Sequence, residues 1–200
     1  MKNVLLFSVL AVFAMTSATI LKPTAYTVDV AKSTFQWTGK KVTGSHWGYI
    51  KFANGSVSVE KNTVVGGTFD VDMNSMDCQD LKGEYGQKLL GHLKADDFFG
   101  TDKFPKATLT LKTISPIAGA KAGENNFNVK ADLTIKGQAN EVDFPAMIAV
   151  SANEVTAKAD FNINRTKYGI KYGSGSFFSN LGDKTIYDDF NVKINLVATK

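Results

Sequence analysis

Apolar and polar residues alternate along most of this chain, and the alternation predicts an all-β fold. In the segment TFQWTGKK, for example, Phe35, Trp37 and Gly39 share one face and polar residues share the other. Eight to ten segments show this period of two, and short connections join them. Such strands favour antiparallel pairing over βαβ units. Because closure removes exposed strand edges, we expect a closed barrel.

Residues 80–99 interrupt the alternation with the spacing of a helix. Leu81, Tyr85, Leu89 and Leu93 recur every four residues, which places apolar side chains along one side of a helix. Three glycines in the segment weaken the helix, so it needs a surface to pack on. Two interpretations remain open, a lid over one end of the barrel and a crossover helix that covers the core.

Two further segments are predicted to connect strands. Asn54-Gly55 is typical of a type I′ turn and predicts a β-hairpin there. Residues 166–186 are glycine-rich without an obvious element, which is typical of a binding loop or lid. The candidates in this loop for facing inward are Tyr168, Ile170, Phe177, Phe178 and Leu181.

Residues 1–18 have the pattern of a signal peptide. A lysine precedes an apolar stretch, and residues 16–18 are small, as a signal peptidase requires. Cleavage after Ala18 leaves one domain at residues 19–200 and predicts a periplasmic protein. Alternatively, the apolar run extends to Leu21 and forms an uncleaved anchor.

The charge pattern and the cysteine count exclude several kinds of site. The formal net charge is +4, but lysines and acids are interspersed, so no basic stripe suits a nucleic acid. Cys78 is the only cysteine, which excludes an internal disulfide. Two histidines and one cysteine are too few for the usual structural zinc site. We therefore assign no metal and no cofactor, and we assign no catalytic residue.

The apolar faces of the predicted elements define a candidate ligand site inside the barrel. Lys41, His46 and Arg165 each continue such a face at a strand end, so the oily interior has cationic or polar groups at its rims. This chemistry suits a long apolar tail with a polar or anionic head. Counting strands up and down places Arg165 at the end covered by the helix, and Lys41 with His46 at the opposite end. The predicted ligand-binding residues are Phe35, Trp37, His46, Ile50, Phe52, Phe69, Leu89, Leu93, Phe98, Leu109, Leu111, Leu133, Ile135, Phe144, Ile148, Phe161, Ile163 and Arg165.

Four segments, in this order and spacing, resemble one known family. They are WTGKKVTGSHWGYI, GHLKADDFFGTDKFP, LTIKGQANEVDFP and NRTKYGIKYG. The chain is similar in them to the YceI-like family of secreted bacterial lipid-binding, or polyisoprenoid-binding, proteins. The resemblance implies a lipocalin-like antiparallel β-barrel of about eight strands, with a short helical insertion covering one end. It also implies an isoprenoid-type lipid in the interior and supplies no established catalytic set.

The sequence therefore predicts a periplasmic protein that holds an amphiphilic lipid, for transport or storage. A polyprenyl phosphate, a quinone and a fatty-acid derivative all fit this description of the ligand. Transient contact of the protein with a membrane is also compatible with it. The oligomeric state stays open, with a dimer as one option. One alternative is a barrel filled by its own side chains that acts as a stress or partner-binding protein. Another is a lipid-modifying enzyme with His92 and Asp97 as acid and base.

Overall fold

The computed structural model describes residues 22–200, so the predicted signal peptide and its cleavage site lie outside the described residues. This part of the chain forms nine strands and one α-helix. The helix, α1, spans Gly83–Lys94. The strands are β1 (Thr24–Val28), β2 (Thr34–Lys41), β3 (Gly44–Glu60), β4 (Thr63–Asp72), β5 (Lys106–Pro116), β6 (Phe127–Ile135), β7 (Gln138–Val150), β8 (Glu154–Asn164) and β9 (Asp189–Thr199).

The strands β2 to β9 form a closed up-and-down barrel. Each pairs antiparallel with the next, and β9 pairs with β2. Trp37 of β2, for example, lies opposite Gly48 on β3 and Val192 on β9. Because side chains alternate in direction along a strand, this register sends the predicted apolar faces inward. The prediction of an antiparallel barrel of about eight strands with one short helix is confirmed.

The first strand closes one end of the barrel, which we call the closed end. β1 pairs with the last part of β3 and with the last residues of β9. The Tyr26 hydroxyl donates to the carbonyls of Ser151 (3.1 Å) and Ala152 (3.3 Å) in the β7–β8 connection. The buried valines of this end are Val28, Val57, Val59, Val64 and Val155. The opposite end, where α1 lies, is called the mouth end below.

Helix α1 covers the mouth end with its carboxyl-terminal half. It is inserted between the neighbouring strands β4 and β5, so it is a cover and not a crossover. Leu89 and Leu93 pack against the barrel core as predicted. The predicted stripe is wrong in its first half, because the helix begins at Gly83, after Leu81, and Tyr85 is 75% exposed. Within residues 22–200, no helix is long and apolar enough to cross a membrane.

The predicted hairpin at Asn54-Gly55 is wrong. β3 continues through both residues, with a pairing irregularity just before Asn54. The chain reverses instead at Lys61-Asn62, where φ is 48° and 60°, as a type I′ turn requires. Close packing requires glycine at position 55, because a Cβ on Gly55 would lie 2.7 Å from a side-chain carbon of Val28.

The segment between β4 and α1 completes the barrel wall beside β3. Asp77 takes the place of a strand partner, since its N–H donates to the Tyr49 carbonyl (3.0 Å) and its carboxylate accepts from the Tyr49 N–H (2.6 Å). The indole N–H of Trp37 also donates to the Asp77 carbonyl (3.1 Å). A Cβ on Gly48 would lie 2.0 Å from that carbonyl oxygen, so this close approach requires glycine.

We expect Gly48→Ala to lower the free energy of unfolding by about 3 kcal/mol, because the added methyl group must displace the Asp77 backbone. The matched control is Gly66→Ala in β4, where a Cβ would meet no atom within 4 Å and which should change stability by less than about 0.5 kcal/mol. Urea unfolding of both variants measures the difference. Equal midpoints would contradict the proposed role of Gly48.

Candidate functional site

An apolar cavity of about 240 Å³ lies inside the barrel, close to the lower limit of small-molecule sites. Inward residues of the strands form its wall, and Leu89, Leu93, Phe98 and Phe99 from α1 and the following turn form part of its cover. Every predicted ligand-binding residue lines this cavity except Phe161. The predicted residues therefore converge on one space, and the barrel is not completely filled by its own side chains.

The prediction missed the small residues of the wall. They are Ala107, Ala146, Ala157 and Ala159. Ala146 keeps the phase of Phe144 on β7, so the alternation already contained the signal that would have found it. Met76 and Ile186 also line the cavity, but they lie outside the strands and helices, where no periodicity could reveal them.

Phe161 keeps the inward phase of β8 but does not border the cavity. Its ring stacks on Phe144, with 4.0 Å between ring centroids and 4° between ring planes. The ladder between β7 and β8 ends at Ala146 and Ala159, directly before these two rings. The Phe161 ring thus covers the place where the two strands separate. The prediction that Phe161 lines the cavity is corrected.

The polar groups of the lining gather at the mouth end. β2 ends and β3 begins there, and β8 ends there too, so Lys41 and His46 lie at the same end as Arg165. The prediction that they lie at opposite ends is wrong. The Asn54-Gly55 hairpin, which does not exist, added one reversal to the strand count and inverted the result.

Arg165 is the only arginine of the chain, and it binds the loop that follows it. Its side chain is 2% exposed, and Phe98 lies against its guanidinium at 5.5 Å. Its N–H groups donate to the carbonyls of Ile170 (3.0 Å), Tyr172 (2.8 Å), Ile186 (3.0 Å) and Tyr187 (3.1 Å). Nη2 also lies 3.6 Å from Asp188 Oδ1. The predicted role in holding a lipid head group is therefore corrected, because the guanidinium is already used within the protein.

The segment 165–188, called the mouth loop below, is held in place by these bonds. Tyr168 and Ile170 face inward as predicted and are 1% and 0% exposed. Burial raises the pKa of Tyr168 to about 12. Phe177 and Phe178 were also candidates for facing inward, but they are 48% and 50% exposed. The loop therefore presents two aromatic rings to solvent at the end where the cavity has its polar groups.

His92 of α1 supplies an unpaired polar atom to the cavity lining. Its Nε2 is buried and has no hydrogen-bond partner among the described residues. The ring makes edge contacts with Phe98 (5.5 Å) and Tyr172 (4.4 Å between centroids). His46 differs, because its Nδ1 lies 2.7 Å from Asp80 Oδ2. Since buried polar atoms are generally hydrogen-bonded, His92 Nε2 is the atom of the lining that lacks an expected hydrogen-bond partner among the described residues.

The alternative acid–base pair is not assembled. Asp97 is exposed in the turn after α1, and no hydrogen bond joins it to His92. Within residues 22–200 there is also no group of three or more His, Cys, Asp or Glu residues that could hold a metal ion. The chemistry that this site offers is therefore apolar enclosure with hydrogen bonding at one end.

Comparison with known proteins identifies several relatives. The family model described as YceI-like domain matches residues 26–198. A UPF0312 protein of Staphylococcus aureus (strain USA300) is 39% identical over 88 residues, which are 40% of this chain and 46% of that protein. The match thus spans about half the length of such relatives.

Solved structures share the fold over more of the chain. The crystal structure of Burkholderia cenocepacia BcnA has a TM-score of 0.66 and 26% identity, over 86% of this chain and 99% of that one. A polyisoprenoid binding domain from Saccharophagus degradans has a TM-score of 0.60 and 19% identity, over 87% of this chain and 97% of that one. At that identity the second structure shows the fold alone.

We expect Arg165→Ala to destabilise the protein by at least about 3 kcal/mol, because four loop carbonyls lose a charged donor. The mouth loop should also become sensitive to limited proteolysis. Lys167→Ala is the matched control, since Lys167 is exposed in the same turn. Urea unfolding and mapping of the cleavage sites measure both effects. A variant with wild-type stability and an intact loop would show that the loop is held by other contacts.

Proposed function

The chain belongs to the YceI-like family, and on this premise we propose that it binds an amphiphilic lipid whose apolar chain lies inside the barrel. The observation that carries the proposal is the cavity, whose wall is apolar except at the mouth end. A barrel filled by its own side chains would leave no such space. The stress or partner-binding alternative therefore has less support than ligand binding.

The two ends of the cavity give the ligand a direction. Valines line the closed end, so the apolar chain points there. The polar group lies at the mouth end, where His92 Nε2 is unpaired. Two lysines, Lys40 and Lys41, and one acid, Asp189, are exposed at the rim of the same cavity, and the excess of positive charge favours an anionic head over a cationic one.

The proposed ligand is an amphiphilic lipid, either of isoprenoid type, such as a polyprenyl phosphate or a quinone, or a fatty-acid derivative. The family, and the fold shared with the polyisoprenoid binding domain from Saccharophagus degradans, support this choice. We place the protein in the periplasm, with residues 1–18 as a cleaved signal peptide, where it carries or stores the lipid. The separation of His92 from Asp97 supports binding without catalysis.

We expect geranylgeraniol to raise the melting temperature of the protein, because a ligand that binds only the folded state stabilises it. At about a hundred times the dissociation constant the gain is roughly 2.7 kcal/mol, or about 5 °C or more for a chain of this size. Ala157→Phe, which fills the cavity, should abolish the rise. Ala149→Phe, on the exposed face of β7, should keep it. If no isoprenoid, quinone or fatty acid shifts the wild-type melting temperature, the lipid-binding proposal fails.

We expect His92→Phe to weaken binding of geranylgeraniol by about fivefold or more, because the ligand hydroxyl loses a hydrogen-bond partner. The corresponding hydrocarbon without the hydroxyl is the matched control, and its affinity should be unchanged or higher. Competition with a fluorescent fatty acid measures both affinities. An equal loss for the two ligands would mean that His92 only shapes the wall.

A further inference from the structure

Exposed apolar side chains are concentrated around the mouth of the barrel. Among residues 22–200, nine large apolar side chains are exposed, and five of them lie in the mouth loop or in the β2–β3 turn beside it. These five, called the mouth surface below, are Val42, Tyr172, Phe177, Phe178 and Tyr187, with exposures between 48% and 52%. Scattered exposed apolar residues are normal on a protein, whereas a cluster marks an interaction site.

Backbone hydrogen bonds hold the parts of the mouth surface together. The Val42 N–H donates to the Thr185 carbonyl (3.1 Å), and the Tyr187 N–H donates to the Lys40 carbonyl (3.0 Å). These bonds attach the end of β2 and the β2–β3 turn to the mouth loop. The N–H groups of Phe177 and Phe178 both donate to the Ser174 carbonyl (3.2 and 3.0 Å), which makes a tight turn that projects the two rings. With Arg165 beneath it, the surface is preformed.

The segments that carry these rings also carry more exposed lysines than exposed acids. The exposed lysines are Lys40, Lys41, Lys167, Lys171 and Lys184, whereas the exposed acids of the same segments are Asp183 and Asp189. The Lys171 ammonium lies 4.5 Å from the centroid of the Phe177 ring. Aromatic rings together with lysines are the composition of surfaces that enter the head-group region of a membrane, where the rings are buried and the ammonium groups meet anionic lipids.

The mouth surface is continuous with the entrance of the cavity. Lys40, Lys41, Ile186 and Tyr187 are partly or fully exposed and also line the cavity. We propose that the mouth surface docks the barrel, mouth first, on a membrane that contains anionic lipids, so that the ligand passes between bilayer and cavity without crossing water. This inference rests on the proposed function, because it identifies the source from which that ligand is taken.

A membrane fits this surface better than a second copy of the chain. In a symmetric dimer the same patch faces itself, so the lysines of one copy would approach those of the other. An anionic lipid surface instead complements the lysines, and a fluid head-group region accepts rings that project at different heights.

Vesicle co-sedimentation tests the proposal. The full chain is expressed, and the protein is used in the form in which it is isolated. Vesicles of phosphatidylcholine with about a third phosphatidylglycerol should bind the wild type, and vesicles of phosphatidylcholine alone should bind it less. Phe177→Ser with Phe178→Ser should weaken binding at least about tenfold, because two rings no longer leave water. Raising the salt to about 0.5 M should weaken it too, because the Debye length falls to a few ångströms.

The matched control carries Val30→Ser and Val65→Ser. These valines are 46% and 47% exposed but lie towards the closed end, so vesicle binding should be unchanged. Equal loss in both double variants, or a wild type that ignores anionic vesicles, overturns the proposal. A wild-type dimer that the Phe177 and Phe178 substitutions dissociate, without vesicle binding, assigns the surface to a second copy and also overturns it.

The outcome can be separated from that of the proposed function by melting the same variants with geranylgeraniol added from solution. Substitutions at Phe177 and Phe178 should leave this melting shift intact, since neither ring lines the cavity. Lipid binding without vesicle binding refutes the mouth surface alone. Vesicle binding without any lipid-induced shift refutes the cavity site alone.

Discussion

The closure of β9 onto β2 is the constraint on which the rest of the structure depends. In a closed barrel no strand can slip by one residue, because every inward side chain would then move outside. An eight-stranded barrel encloses a space that side chains can just fill, so the size of each inward residue decides whether it is hollow. Here alanines on β5, β7 and β8 take inward positions, and a cavity of about 240 Å³ remains. The cavity is thus a consequence of small residues within a fixed register.

The mouth end needs a second constraint, because a long loop must return from β8 to β9. Arg165 supplies it by donating to four carbonyls of that loop, and these bonds compensate for burying a charge. Asp188 adds the opposite charge. Although partial burial acts against it, hydrogen bonds from Ser174 and Ser176 and the charge of Arg165 keep the pKa of Asp188 below its ordinary value. The loop is therefore organised around one guanidinium, which places the half-exposed Tyr172 against His92 and two phenylalanines on the outer surface.

Alternation predicted the barrel, and it also predicted the lining, because a closed register converts the phase of a strand directly into inside and outside. The alternation failed at positions whose role is not determined by the direction in which the side chain leaves its strand. Asn54-Gly55 resembles a turn, but the glycine serves close packing against Val28 within one long strand, and that error alone reversed the ends of the barrel. Arg165 has the phase of a lining residue, yet its partners are carbonyls of a loop whose path no pattern predicts. The sequence did contain one signal for the special role of Arg165, because it is the single arginine in a lysine-rich chain.

The asymmetry between the two ends argues for an amphiphile over a ligand that is apolar throughout. A barrel for a wholly apolar ligand could be lined by valines at both ends. In such a barrel a buried nitrogen without a hydrogen-bond partner would only lower the stability of the fold. In this barrel the closed end is sealed by β1 and the Tyr26 hydroxyl bonds, whereas the unpaired His92 Nε2 and the rim lysines are all at the mouth end. A lipid can satisfy this arrangement in one orientation only, with its chain towards the valines and its polar group beside His92. In the proposed transfer the chain enters first and the head group last, so the head group lies at the mouth, next to the exposed rings, when the proposed transfer ends.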